Sequence, residues 1–108
     1  VAAMIAQWPA WRSWFDRGIV AVGSSDVPVV GCDPFRGLQS AAARRTRDGA
    51  VMSPGQEITV EEALRMFTRN GAFATFEEGI KGRVAPGMLA DLAVLSGDPR
   101  AVAPDDLH

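Results

Sequence analysis

One carboxylate stands out by its place in the chain. The stretch Val20-Ala21-Val22-Gly23-Ser24-Ser25-Asp26-Val27-Pro28-Val29 is an apolar run that ends in small polar residues, one acid and a proline. Ile19 to Val22 are β-branched or small and too few for a helix, and the Gly-Ser-Ser that follows lets the backbone turn. The pattern predicts a strand that delivers Asp26 just past its end. In an α/β barrel that is the face where active sites are built, because its loops gather residues from several strands around one pocket. The plainer role for such an acid is to accept backbone hydrogen bonds within a turn.

Other residues invite chemistry less strongly. Arg36, Arg44, Arg45 and Arg47 could grip an anion, but a solvated face or pairing with nearby acids is the expected role. Glu61 and Glu62 are adjacent acids that would point in different directions on a helix, so they fit complementation of a helix N-terminus better than paired acid–base work. Trp8, Trp11 and Trp14 recur at helical spacing and are expected to pack against neighbouring structure rather than stack on a ligand. Asp91 has nothing near it in sequence to complete a site and reads as structural. Gly79, Gly82 and Pro86-Gly87 do not form a phosphate-binding loop, since no Gly-Lys-Ser/Thr follows.

Several elements must position these groups. A short helix is expected from about Pro9 to Arg17, after an apolar start at Met4 and Ile5, with Trp11, Trp14 and Phe15 on one side, Arg12 and Asp16 toward water, and Gly18 ending it. Asp33 as N-cap and Pro34 at the first position predict a second helix from about Pro34 to Arg45, burying Phe35, Leu38, Ala41 and Ala42. Asp48-Gly49 marks a turn, and Val51 to Glu57 reads as a loop around Pro54-Gly55. Thr59-Val60-Glu61-Glu62 is a capping box, so a third helix opens there, with Val60, Ala63, Leu64 and Phe67 facing the core and Asn70-Gly71 as its stop. Ala72 to Phe76 would add a turn with Phe73 and Phe76 anchored inward. Ala90 to Ser96 reads as a second strand, and the tail through Asp105 and Asp106 as surface or frayed chain.

Composition narrows the function classes. The 108 residues are far short of the roughly 250 of a complete (β/α)8 barrel. Hydrophobic content of 47% and charged content of 22% fit an ordinary globular protein. A net charge of -2 supplies no field for phosphate backbones, so no nucleic-acid partner is expected, and no apolar run is long enough to span a bilayer. Cys32 is the only cysteine and His108 the only histidine, which excludes an internal disulfide, a thiolate zinc site and a three-histidine zinc site within these residues. The N-terminus lacks the features of a secretory signal, so a cytoplasmic setting is expected; Val1 as first residue suits a segment of a longer chain.

Two segments carry a resemblance. Gly18-Ile19-Val20-Ala21-Val22-Gly23-Ser24-Ser25-Asp26-Val27-Pro28-Val29 resembles the last barrel strand of metal-dependent amidohydrolases. Thr59 to Leu64, Thr68 to Ala72 and Gly82-Arg83-Val84-Ala85-Pro86-Gly87-Met88-Leu89-Ala90-Asp91-Leu92-Ala93-Val94-Leu95 are similar to the segment in which those proteins leave the barrel for a small β-sandwich. Between them, Pro34 to Ala42 and Arg44 to Gly49 look like the branch that includes N-substituted formamide deformylases.

The resemblance implies an α/β segment, mainly helical with few strands: the last strand and helices of a (β/α)8 metal-hydrolase barrel over residues 1–78, and part of the adjoining sandwich over 79–108. It implies that Asp26 binds a catalytic divalent metal, with zinc the expected ion, and takes the proton from attacking water during hydrolysis of an amide or formamide-like C–N bond in a small molecule. The family's remaining ligands lie upstream of this segment, so no metal and no activity are expected of these residues alone. Surfaces meant for missing barrel elements imply self-association. The alternative is a non-catalytic interaction or assembly module that keeps the amidohydrolase ending.

Overall fold

A computed structural model describes residues 9–46 and 48–107. The Met4 and Ile5 start, Trp8, Arg47 and His108 lie outside the described residues. Among the described residues four α-helices run in chain order: α1 (Trp11–Asp16), α2 (Pro34–Ala43), α3 (Val60–Phe67) and α4 (Arg69–Ala74). Two 3-10 turns follow, Pro99–Ala101 and Pro104–Asp106.

The helix ends follow local chemistry. α1 closes with Gly18 at φ +72°, whose N–H bonds Phe15 O at 2.9 Å while Ile19 N–H bonds Trp14 O at 3.0 Å; a side chain at Gly18 would strain this left-handed stop. The Asp33 carboxylate accepts from Phe35 N–H and Pro34 fills the next position, so α2 starts where the sequence places it. It ends two residues early, at Ala43, because Arg44 takes a left-handed φ of 53°. At α3, Thr59 Oγ1 accepts from Glu62 N–H at 3.1 Å and Glu62 Oε2 accepts from Thr59 N–H at 2.8 Å, which is the reciprocal capping the spacing implies.

The expected stop at Asn70-Gly71 is not observed. The helix breaks earlier, at Thr68, whose hydroxyl donates to Leu64 O, and restarts as α4 through both residues. α4 closes with Phe76 at φ +59° and Glu77 N–H on Ala72 O. That closure turns Phe76 outward, leaving it 92% exposed, and Phe73 is exposed as well, so neither anchors the core.

The core lies where α2 packs on α3, with α1 against its flank. Ala21, Leu38, Ala41, Ile58, Ala63 and Met66 are buried together, and Leu107 closes the cluster from the C-terminal end. Trp11, Trp14, Phe15, Phe35 and Phe67 pack around it. The tail is therefore tied down rather than frayed: its second 3-10 turn packs on α2 and carries Leu107 into the core.

The two expected strands require correction. Among the described residues there is no β-strand, and the single ladder contact is an antiparallel bridge between Arg45 and Val51. Ile19 to Gly23 and Ala90 to Ser96 run without regular structure and pair with no described strand. A strand is stable only when its N–H and C=O groups meet a neighbour, and local sequence cannot supply one. The apolar faces stay outward: Val20 and Val22 are exposed, and Val94 is 99% exposed.

Candidate functional site

The Asp26 segment is held from below by α3 and α4. Gly23 N–H donates to Met66 O at 3.0 Å, and Asn70 Nδ2 donates to Ala21 O at 2.7 Å. Ala21 is buried beneath the segment. The Phe67 ring lies between two glycines that make room for it. A methyl group placed on Gly23 would sit 2.4 Å from Phe67 Cε2, and one on Gly37 of α2 would sit 2.3 Å from Phe67 Cζ.

Above this anchor the chain turns sharply. Asp26 has φ +54°, a left-handed conformation that Asp adopts more readily than most residues. Its N–H donates to Ser24 Oγ at 3.3 Å and its carbonyl accepts from Val29 N–H at 2.9 Å. The backbone of Asp26 thus makes the turn, while the residue as a whole stays exposed. The sequence predicts Asp26 just past the end of a strand; the structure instead has it in an exposed turn that follows irregular chain.

Beside the turn an open groove of about 870 Å³ is lined by Val29, Val30 and Gly31, by Arg36 and Gln39 of α2, and by Arg45 and Asp105. Its cations are matched by acids. Arg45 Nε lies 3.1 Å from Asp105 Oδ1, and Arg36 Nε lies 4.0 Å from Asp33 Oδ2. A solvated face or pairing with acids is what the sequence implies for these arginines, and Arg44 departs from the solvated face. Only 2% of Arg44 is exposed; burial pushes its guanidinium pKa down, with the Glu57 charge acting against that shift. Its Nη2 lies 3.4 Å from Pro9 O.

The adjacent acids do structural work. Glu61 pairs with Arg65 at 2.6 Å. Glu62 meets Arg12 Nη1 through both oxygens, at 3.0 and 2.9 Å, besides capping α3. Burial disfavours its charge, but hydrogen bonds from Thr59 N–H, Arg12 and the Thr59 hydroxyl outweigh it and hold the carboxyl below its ordinary value. Trp11 and Trp14 meet edge to face at 5.1 Å and pack on the core, as their spacing implies. Asp98 is held at about 2 by the Arg100 side chain and then by the Arg100 amide, and it caps the first 3-10 turn.

Asn70 is the residue whose role spacing could not reveal. It reads locally as a helix stop, yet it bonds a carbonyl 49 positions earlier in the chain. Among the described residues no group of three or more His, Cys, Asp or Glu is placed to hold a metal ion. Cys32 is exposed, with a free thiol. No described helix is long and apolar enough to cross a membrane.

A family model described as "Amidohydrolase family" matches residues 2–108. The chain is 36% identical over 102 residues to the Bacillus subtilis (strain 168) protein named "Putative amidohydrolase YtcJ", covering 92% of this chain and 19% of that protein. It is also 36% identical over 97 residues to "N-substituted formamide deformylase" of Arthrobacter pascens, covering 90% of this chain and 18% of that protein. The chain thus spans about a fifth of the length of these curated relatives. No solved structure matches it.

Proposed function

Because the chain belongs to the amidohydrolase family, we propose that it is the C-terminal part of a metal-dependent hydrolase acting on a non-peptide C–N bond of a small amide. In this reading residues 1–78 close a (β/α)8 barrel and 79–108 return toward a small β-sandwich. The observation that carries the reading is the exposed turn of Asp26, supported from α3 and α4, within a match that covers nearly the whole chain.

Asp26 fits one corner of a metal centre and no more. Its carboxylate would bind the ion and accept the proton of the attacking water, then return it to the departing nitrogen. A divalent metal, zinc being the expected ion, would when bound lower the pKa of that water and polarise the scissile carbonyl. A catalytic zinc ordinarily takes three protein ligands, so the others come from outside the described residues. The chain by itself is accordingly expected to be without hydrolytic activity.

The relative that deformylates N-substituted formamides suggests the substrate class: an amide whose carbonyl is small enough to reach a metal beside Asp26. The test is hydrolysis of N-substituted formamides by the gene product that carries this segment, followed as formate release. Loss of the activity on chelation and its return with zinc is the expected result. Hydrolysis indifferent to chelation would overturn the metal-dependent reading, and absence of hydrolysis across simple amides would overturn the C–N assignment. The match to a hydrolase family does not favour the assembly-module alternative.

A further inference from the structure

We propose that Asn70 is a positioning residue for Asp26, acting through the main chain of Ala21. The proposal rests on the reading of Asp26 given above. Asn70 lies in the first turn of α4, and its side-chain amide donates to Ala21 O across 2.7 Å in a partly buried setting. The second tether, Gly23 N–H to Met66 O, comes from the end of α3. The two tethers hold the segment at the Ala21 carbonyl and the Gly23 amide, five and three residues before Asp26. Past Gly23 the turn is built locally, with Asp26 N–H on Ser24 Oγ and Val29 N–H on Asp26 O, so the position of Asp26 follows from where Ala21 and Gly23 are held.

The residue type fits this task. A carboxamide offers a neutral N–H donor to a carbonyl, whereas a carboxylate of the same shape offers only acceptors. Asn is also a weak helix former, so Ala at this position would favour α4 if building the helix were its only role. The long-range hydrogen bond is what Asn adds.

The test uses the gene product that carries this segment, with Asn70→Ala and the isosteric Asn70→Asp. Hydrogen–deuterium exchange of the peptide spanning Ile19 to Val27 is read by mass spectrometry. Exchange faster by about tenfold in both variants, with α1 peptides unchanged, is expected. Unchanged exchange across Ile19 to Val27 overturns the tether. In the kinetic arm kcat falls by about 10- to 100-fold while KM stays within about twofold, because displacement of a reacting group by an ångström costs up to about 10²-fold. A change confined to KM, or an unchanged kcat, overturns the positioning role. Asp26→Asn in parallel separates the two readings: if that variant keeps full activity the Asp26 assignment fails, while the exchange arm still decides whether Asn70 holds the segment.

Discussion

The ring of Phe67 occupies the space that a side chain on Gly23 would need: a methyl group there would lie 2.4 Å from Phe67 Cε2. This contact joins the end of α3 to the segment that leads to Asp26, beside the hydrogen bond from Gly23 to Met66. It has a twin in α2, where a methyl group on Gly37 would lie 2.3 Å from the same ring. The glycines are required here by close approach, since real carbon contacts do not reach such distances.

Gly23→Ala and Gly37→Ala are each expected to destabilise the chain by about 1–3 kcal/mol through overpacking. Phe67→Ala is expected to cost roughly 2–3 kcal/mol, at or below the low end of the usual range of about 3–5, because the ring is only partly buried. Urea unfolding followed by circular dichroism measures each. The double variant Gly23→Ala with Phe67→Ala should lose less than the sum, since the methyl group then enters vacated space; strict additivity would contradict the contact.

The Arg12–Glu62–Thr59 cluster predicts a defined acid response. Glu62 is held below its ordinary value in the folded chain, so its contribution to stability is complete above the unfolded value of about 4.3 and is lost as pH falls through the folded one. Stability measured from pH 7 down to 3 should therefore fall more steeply in the wild type than in Glu62→Gln. Thr59→Ala is expected to cost about 1 kcal/mol near neutral pH through loss of the cap. Parallel acid limbs for wild type and Glu62→Gln would contradict the assignment.

Outward apolar faces without a strand partner predict association. Val20 and Val22 on one segment and Leu92 and Val94 on the other are exposed on chain free to pair with a second copy. Sedimentation velocity is expected to show concentration-dependent species larger than 11.5 kDa. Val94→Lys should shift the distribution toward monomer while leaving the helical circular dichroism signal unchanged, because the side chain touches no core residue. A wild-type chain that stays monomeric at all concentrations would contradict this expectation.

Legibility in the sequence tracked the range of the forces involved. Asp33-Pro34, Thr59 with Glu62, and Gly18 announced the helix ends because caps act within a few residues. The apolar face of α2 was readable from its period, with Leu38, Ala41 and Ala42 buried as the spacing implies. Met66, Arg44 and Leu107 were not readable as buried, since each is covered by segments remote in sequence. The strand expected at Ile19 to Gly23 had the right composition, but its groups meet the carbonyl of Met66 and the amide of Asn70 instead of a strand. Asp26 was visible as an acid after an apolar run. Its tether to Asn70 was not, because nothing in local sequence marks a contact across 49 positions.

Asp26→Asn in the gene product that carries this segment is the most direct trial of the account. Asn also tolerates the left-handed turn, so the fold should survive the exchange and the readout is chemical. Metal content by plasma mass spectrometry and kcat for amide hydrolysis are measured on the same preparation. A fall in kcat of about 10²-fold or more, in line with loss of a general base, together with reduced metal occupancy, is the predicted result. Full metal occupancy and an unchanged kcat would contradict the claim that Asp26 is a ligand and proton acceptor in this hydrolase.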